Sequence, residues 1–162
     1  MQRAMLSISA SCTIGDIFCQ TLSSTETQYD VRRTVAFALS GLLVLGPTSY
    51  GILSSATALC PGTSTAAVAR RILAIQLCEP VRLGLFMPMP LLLSGVPADL
   101  ALEKAKRDTL PTTVRSWVVF TPFLYIGFVH LRPENRIPLL SAVGACWNSY
   151  MSWVTYRSQS LR

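Results

Sequence analysis

Charge is what this 162-residue chain has least of. Asp, Glu, Lys and Arg make up 14% of it, against about 25% in an ordinary soluble domain. With 51% of residues hydrophobic and a mean hydropathy of +0.43, too little polar surface exists to coat a water-soluble globule. Histidine occurs once, as His130, so a zinc site built on several histidines is excluded. The only acidic residue near it is Glu134, and no nucleophile–base pair suggests itself. The five cysteines, Cys12, Cys19, Cys60, Cys78 and Cys146, are scattered, odd in number and without a CxxC. That excludes the disulfide framework of a secreted scaffold and gives no metal cluster. Four of them lie in apolar runs, where a thiol behaves as a small hydrophobe. P-loop, GxGxxG, HExxH and GxSxG motifs are all missing. The expectation is a protein that is not an enzyme, with no catalytic residue, cofactor or metal.

What the chain does have is long apolar runs. Residues 117–129 and 137–153 carry no charge and flank a knot, 130–136, that holds Arg132, Glu134 and Arg136. No formal charge occurs from Thr34 to Ala69, and residues 34–59 suffice to cross about 30 Å of hydrocarbon. Gly46-Pro47 falls near the middle of that run, where a membrane bundle tolerates a proline kink. Gly51 and Ser55 have the small-xxx-small spacing of helix packing, as do Ser141 and Ala145. Pro61-Gly62 marks a turn. The net charge of +6 suits anionic headgroups, and its short clusters between apolar runs fit juxtamembrane anchoring better than nucleic acid.

The polar residues inside the runs are few. In 4–22, Asp16 and Gln20 are four apart and share a helix face, beside Gly15. A signal peptide or transport presequence also fits the position of this stretch, but Asp16 and Gln20 interrupt it and favour a membrane or interface helix. Asp16 reads either as a functional side chain at membrane depth or as an interfacial residue or partner of an Arg on a neighbour. Asp30, Arg32 and Arg33 read as a snorkelling border. The run 72–96 holds Gln76, Glu79 and Arg82, and Glu79 and Arg82 are three apart and able to neutralise each other. Pro80, Pro88 and Pro90 predict that this helix is bent or broken, lining protein or water; alternatively only 83–96 is buried. Residues 97–115 alternate Leu and Ala with Glu, Lys and Arg, which predicts a short amphipathic helix on the membrane surface, ended by Pro111. Trp147, Trp153 and Tyr156 suit an aromatic belt or bundle packing.

The order of several of these residues is similar to a known pattern. Gly15-Asp16 with Gln20 is followed by Asp30 and Arg33, then Gly41 and Gly46-Pro47, then Pro61-Gly62 and Gln76. The C-terminal part starts at Trp117, continues through Phe120, Phe128 and Arg136, and closes with Trp147-Asn148, Tyr150 and Ser152, a WNxYxS cluster. Over residues 15–153 the chain resembles the 22-kDa peroxisomal membrane protein family, which includes mitochondrial inner-membrane members. It departs from that pattern at Tyr50, Ile52 and Leu53, at Ile75 in place of an Asp, and at Thr121, Leu124 and Gly127. Pro80 also falls one residue early, so the chain reads as a divergent member.

The resemblance implies one integral membrane domain over 1–162, all-α. The bundle would hold about four transmembrane helices, five at most, together with the surface helix. It implies a multi-pass protein of an organelle membrane, mitochondrial inner or peroxisomal, that forms a small channel for solutes or metabolites. The competing reading is a non-conducting scaffold. Candidate pore or buried ion-pair residues are Asp16, Gln20, Gln76, Glu79, Arg82 and Arg136; Gly46, Pro47, Trp117, Phe128, Trp147 and Asn148 are the motif's packing residues. Expected partners are membrane lipids, further copies of the chain and small solutes, with no nucleic acid.

Overall fold

The computed structural model describes residues 2–22, 29–131 and 133–156. These form α1 (Gln2–Leu22), α2 (Val31–Ser40), a π-helical turn (Gly41–Leu45), α3 (Gly46–Leu59), α4 (Thr65–Phe86), α5 (Pro88–Leu93), α6 (Ala98–Val129) and α7 (Pro133–Tyr156). The segment from α2 through α3 is one rod and α4 with α5 is another, so five rods make the bundle, and it is all-α among the described residues. Successive rods alternate in direction. Asp16 meets Arg33, Ser49 meets Arg82, Arg71 lies on Phe128, and Arg115 meets Tyr150.

Three rods are long and apolar enough to cross a membrane: Val31–Leu59, Thr65–Leu93 and Ala98–Val129. In their most apolar windows only 28–39% of residues are buried, so most of each window faces outward. On α4 the outward stripe is Leu73, Leu77, Val81 and Leu85, each 54–67% exposed, while Gln76 and Glu79 are 8% and 5% exposed. A soluble protein would invert that arrangement; hydrocarbon around the bundle explains it. The remaining rods, α1 and α7, have 21 and 24 residues. They pack most extensively on each other and bury Asp16, Gln20, Asn148 and Ser152. Those side chains lower the apolar character of both helices.

The structure corrects the reading of 97–115. It is no separate surface helix but the first half of α6, a continuous 32-residue helix containing Pro111 and Pro122. Ala101, Ala105, Asp108 and Thr112 are buried, so this half is docked on the bundle. Asp108 is held by Lys104 at 2.8 Å and Arg107 at 3.1 Å, which lets an acidic residue lie on the packed side.

The Gly46-Pro47 pair acts differently from a simple kink. Pro47 has no N–H to give, and the turn before it widens: the Gly46 N–H donates to the carbonyl of Gly41, five residues back. In an uninterrupted α-helix, residues five apart differ by about 140° around the axis. The wide turn brings Gly41 and Gly46 to the same side, where both meet α1. A Cβ on Gly41 would lie 2.6 Å from Cys12 Sγ, and one on Gly46 3.0 Å from Met5 Cα. The core behind this seam includes Cys12, Phe37, Leu83, Phe86 and Met151, with Phe37 and Phe86 edge to face at 5.4 Å. A Cβ on Gly51, by contrast, would meet nothing within 4 Å, so its small-xxx-small spacing with Ser55 makes no close helix crossing within the bundle.

A Cβ at Gly15 would fall 2.7 Å from Asn148 Cβ and 2.8 Å from the backbone of 148–149, forcing α1 away from α7. Gly15→Ala is expected to cost about 1–3 kcal/mol, read as a lower midpoint of thermal unfolding in detergent micelles. Gly51→Ala, in open space, should leave the midpoint unchanged or raise it. Equal midpoints for the two variants would show that the α1–α7 crossing is looser than described.

Candidate functional site

Polar groups converge in two places inside the bundle. The first lies where α1, α2 and α7 meet. Asp16 is fully buried, and its carboxylate accepts from four side chains. Oδ1 accepts from Arg33 Nε at 3.0 Å and from the Ser152 hydroxyl. Oδ2 accepts from Gln20 Nε2 at 2.7 Å and Thr34 Oγ1 at 2.6 Å. Arg33 also donates through Nη2 to Ser152 Oγ at 2.9 Å, and its guanidinium stacks on the Tyr156 ring, 4.3 Å from the centroid.

The local sequence explains why these groups meet. Asp30 caps α2, accepting from the Arg33 N–H at 3.1 Å, which fixes the phase of the helix and aims Arg33 inward. Gln20 Oε1 accepts from the Asp30 N–H at 2.8 Å, and Gln20 Nε2 reaches the Asp30 carbonyl at 3.1 Å. The end of α1 and the start of α2 are thereby joined. A buried ion pair of this kind offsets its desolvation only when every remaining lone pair is used, and Asp16 meets that condition.

The second place is the inner face of α4. Pro80 cannot donate to the carbonyl of Gln76 four residues back. Trp117 of α6 supplies the missing donor: its indole N–H reaches the Gln76 carbonyl at 3.0 Å. The Gln76 side chain in turn donates to Thr121 Oγ1 at 2.9 Å. One helical turn on, Glu79 holds Arg82 through two contacts of 2.8 and 2.5 Å, and Arg82 Nη1 reaches Ser49 of α3 at 3.1 Å. Pro80, inside the unbroken α4, therefore sits between a clamp to α6 and a clamp to α3. α4 ends at Phe86 and α5 begins at Pro88, so the expected break of this run is present.

Of the sequence candidates, Asp16 and Gln20 share the first cluster, and Gln76, Glu79 and Arg82 share the inner face of α4. Arg136 lies in α7, but its side chain is outside the described residues. Among the packing residues, Gly46 lies in the α1 seam and Pro47 follows the π turn, Trp117 serves Gln76, and Phe128 lies under Arg71 at 5.0 Å. Trp147 is edge to face with Phe120 at 5.5 Å, and Asn148 donates to Ser11 Oγ at 3.0 Å.

Arg33 is a correction. It is no snorkelling anchor but 6% exposed and paired with Asp16. Sequence reasoning named Ser152 only as a motif residue and missed Thr34 and Ser49; the hydroxyls of all three complete the two clusters. The signal for Arg33 and Thr34 was Asp30, because a cap three residues earlier sets which way they point. Among the described residues no group of three or more His, Cys, Asp or Glu is placed to hold a metal.

Arg33→Gln is expected to leave Asp16 buried without its counter-ion and to cost about 3–5 kcal/mol. The double variant Asp16→Asn/Arg33→Gln should cost clearly less than the sum of the singles. Additive losses, measured by unfolding in mild detergent, would show that the two side chains act independently.

Comparison with known proteins agrees with this architecture. A family profile described as the Mpv17 / PMP22 family matches residues 91–152. The chain is 27% identical over 147 residues to the mitochondrial inner membrane protein Mpv17 of Rattus norvegicus, covering 89% of this chain and 84% of that protein. It is 24% identical over 143 residues to Mpv17 of Danio rerio, covering 86% and 81%. It is 27% identical over 149 residues to protein SYM1 of Saccharomyces cerevisiae, covering 86% and 76%. No solved structure gives a significant match. With the bundle apolar outside and polar within, and with these relatives along most of its length, the chain is an organelle membrane protein similar to the Mpv17 / PMP22 family.

Proposed function

We propose that this protein passes small solutes across its organelle membrane, as a narrow helical channel whose resting bundle is held closed by its own ion pairs. The observation that carries this reading is the Glu79–Arg82 pair on the inner face of α4. A carboxylate only 5% exposed and a guanidinium stand beside Pro80, which removes one backbone hydrogen bond from a helix whose outer stripe is leucine and valine. Broken helices with charged inner faces belong at membrane depth where they border a pathway. Movement of α4 about Pro80 would separate the Gln76 clamp from the Arg82 clamp and open polar groups to one another. The protein acts without catalysis on this reading, and its selectivity comes from the charges along the path.

The second reading is a non-conducting scaffold, and the saturated carboxylate of Asp16 favours it. Four donors on one carboxylate make a staple among α1, α2 and α7 and leave no oxygen lone pair free for a passing solute. The two readings divide on reconstitution of purified protein into planar bilayers. A channel gives unitary currents, and Glu79→Gln changes their conductance or open probability. Silent bilayers across all voltages, with protein shown to be inserted and folded, would remove the channel and leave the scaffold.

A further inference from the structure

A cleft of about 490 Å³ runs between α3 and α4, within the range of about 300–1,000 Å³ typical of ligand sites. Its walls extend from Thr48 to Leu59 on one side and from Ala74 to Leu85 on the other. Leu59, Cys78, Val81 and Leu85 on its rim are exposed, so it opens sideways, toward the surface that faces lipid. It exists because Gly51 and Ser55 are small and have no helix against them; a Cβ on Gly51 would meet nothing within 4 Å.

The length of the cleft is informative. Eleven residue steps at about 1.5 Å each make about 17 Å, close to the roughly 15 Å depth of one leaflet. The shallow end is Leu59, next to the Cys60–Ser64 loop, and the deep end is the Glu79–Arg82–Ser49 clamp. The length of the cleft thus matches one leaflet, with Leu59 toward the interface and the clamp toward the middle of the span.

Cations stand at the shallow end. Arg70 is one helical turn before Ala74, so it continues the α4 wall of the cleft into the interface. It is exposed, and among the described residues no carboxylate is in ion-pair contact with it. Arg71 beside it is 6% exposed and also lacks a described carboxylate partner. Its Nη2 donates to the carbonyls of Cys60 at 2.6 Å and Gly62 at 3.1 Å, which fixes the loop next to the cleft mouth. Its Nε has no hydrogen-bond partner. An exposed arginine without a carboxylate partner among the described residues, one turn beyond an apolar slot of leaflet depth, matches one kind of molecule in both chemistry and length.

We propose that this cleft is a binding site for a phospholipid of net negative charge, with an acyl chain between α3 and α4 and the phosphate beside Arg70. The tail supplies the packing that Gly51 lacks, and the headgroup supplies the counter-charge that Arg70 lacks among the described residues. Bound there, the lipid braces α4 on the face opposite its Trp117 clamp.

The test uses the full chain purified in mild detergent and native mass spectrometry with added phosphatidylglycerol or phosphatidylcholine of the same acyl chains. Phosphatidylglycerol is expected to be retained about fivefold better, the factor one basic residue gives near anionic headgroups. Arg70→Gln should abolish that preference and leave the shared, tail-driven retention. Gly51→Leu, which has room for its side chain, should lower retention of both lipids. Thermal unfolding checks that each variant folds; because the two changes lie on different helices and act on different parts of the lipid, either one alone decides. Equal retention of the two lipids, or phosphatidylglycerol retention unaffected by both substitutions, overturns the proposal. So does efficient disulfide crosslinking of Cys78 between copies in vesicles, which would assign the cleft to a second copy. Retention of inorganic phosphate with the same Arg70 dependence but no response to Gly51→Leu would reduce the site to a bare anion contact and also overturn it.

Discussion

A carboxylate buried where no water reaches must have every lone pair answered, and Asp16 shows how much structure that demands. Its four donors come from α1, α2 and α7, residues that lie far apart in the chain. To bring them together, α2 must begin at a fixed place, which the Asp30 cap sets. Rods α1 and α7 must also approach closely, which Gly15 against Asn148 allows. The requirement to pair one charge thereby fixes the register of three helices. Apolar packing could not do so in lipid, where leucine facing leucine and leucine facing hydrocarbon differ little.

The same logic runs through the prolines. Each proline in a helix frees a carbonyl, and in a bilayer a freed carbonyl is costly. The bundle answers in two ways. At Pro47 the helix widens by a π turn, which also turns two glycines toward α1. At Pro80 a neighbouring helix lends the Trp117 indole N–H. The first device shapes a close seam. The second ties α4 to α6 at Pro80 and leaves that proline flanked by polar clamps.

Seen from outside, the described helices offer lipid many exposed apolar side chains, and the leucines and valines of α4 are typical of them. Similarity to the Mpv17 / PMP22 family fits this surface, since the relatives named as mitochondrial inner membrane proteins cover most of the chain. Identity of about a quarter is enough for apolar spans and their order to persist while individual polar residues drift. Thr121 illustrates the drift. The family pattern has a proline there, and here a hydroxyl accepts from Gln76.

How much was legible in the residues depended on how far each signal reached. Scarce charge and long apolar runs determined an all-α membrane bundle, because hydrocarbon leaves the backbone few alternatives. The i, i+3 spacing alone joined Glu79 to Arg82, because both lie on one helix and one turn is a local property. The pairing of Asp16 with Arg33, the loan of Trp117 to Gln76 and the seam under Gly41 and Gly46 were decided only by the tertiary structure. Each depends on the phase of one helix against another, and composition and periodicity carry no information about that angle. The stretch 97–115 shows the converse limit. Its pattern marked an amphipathic helix correctly, but whether it lay flat or ran on through Pro111 into the next run rested on what it docked against.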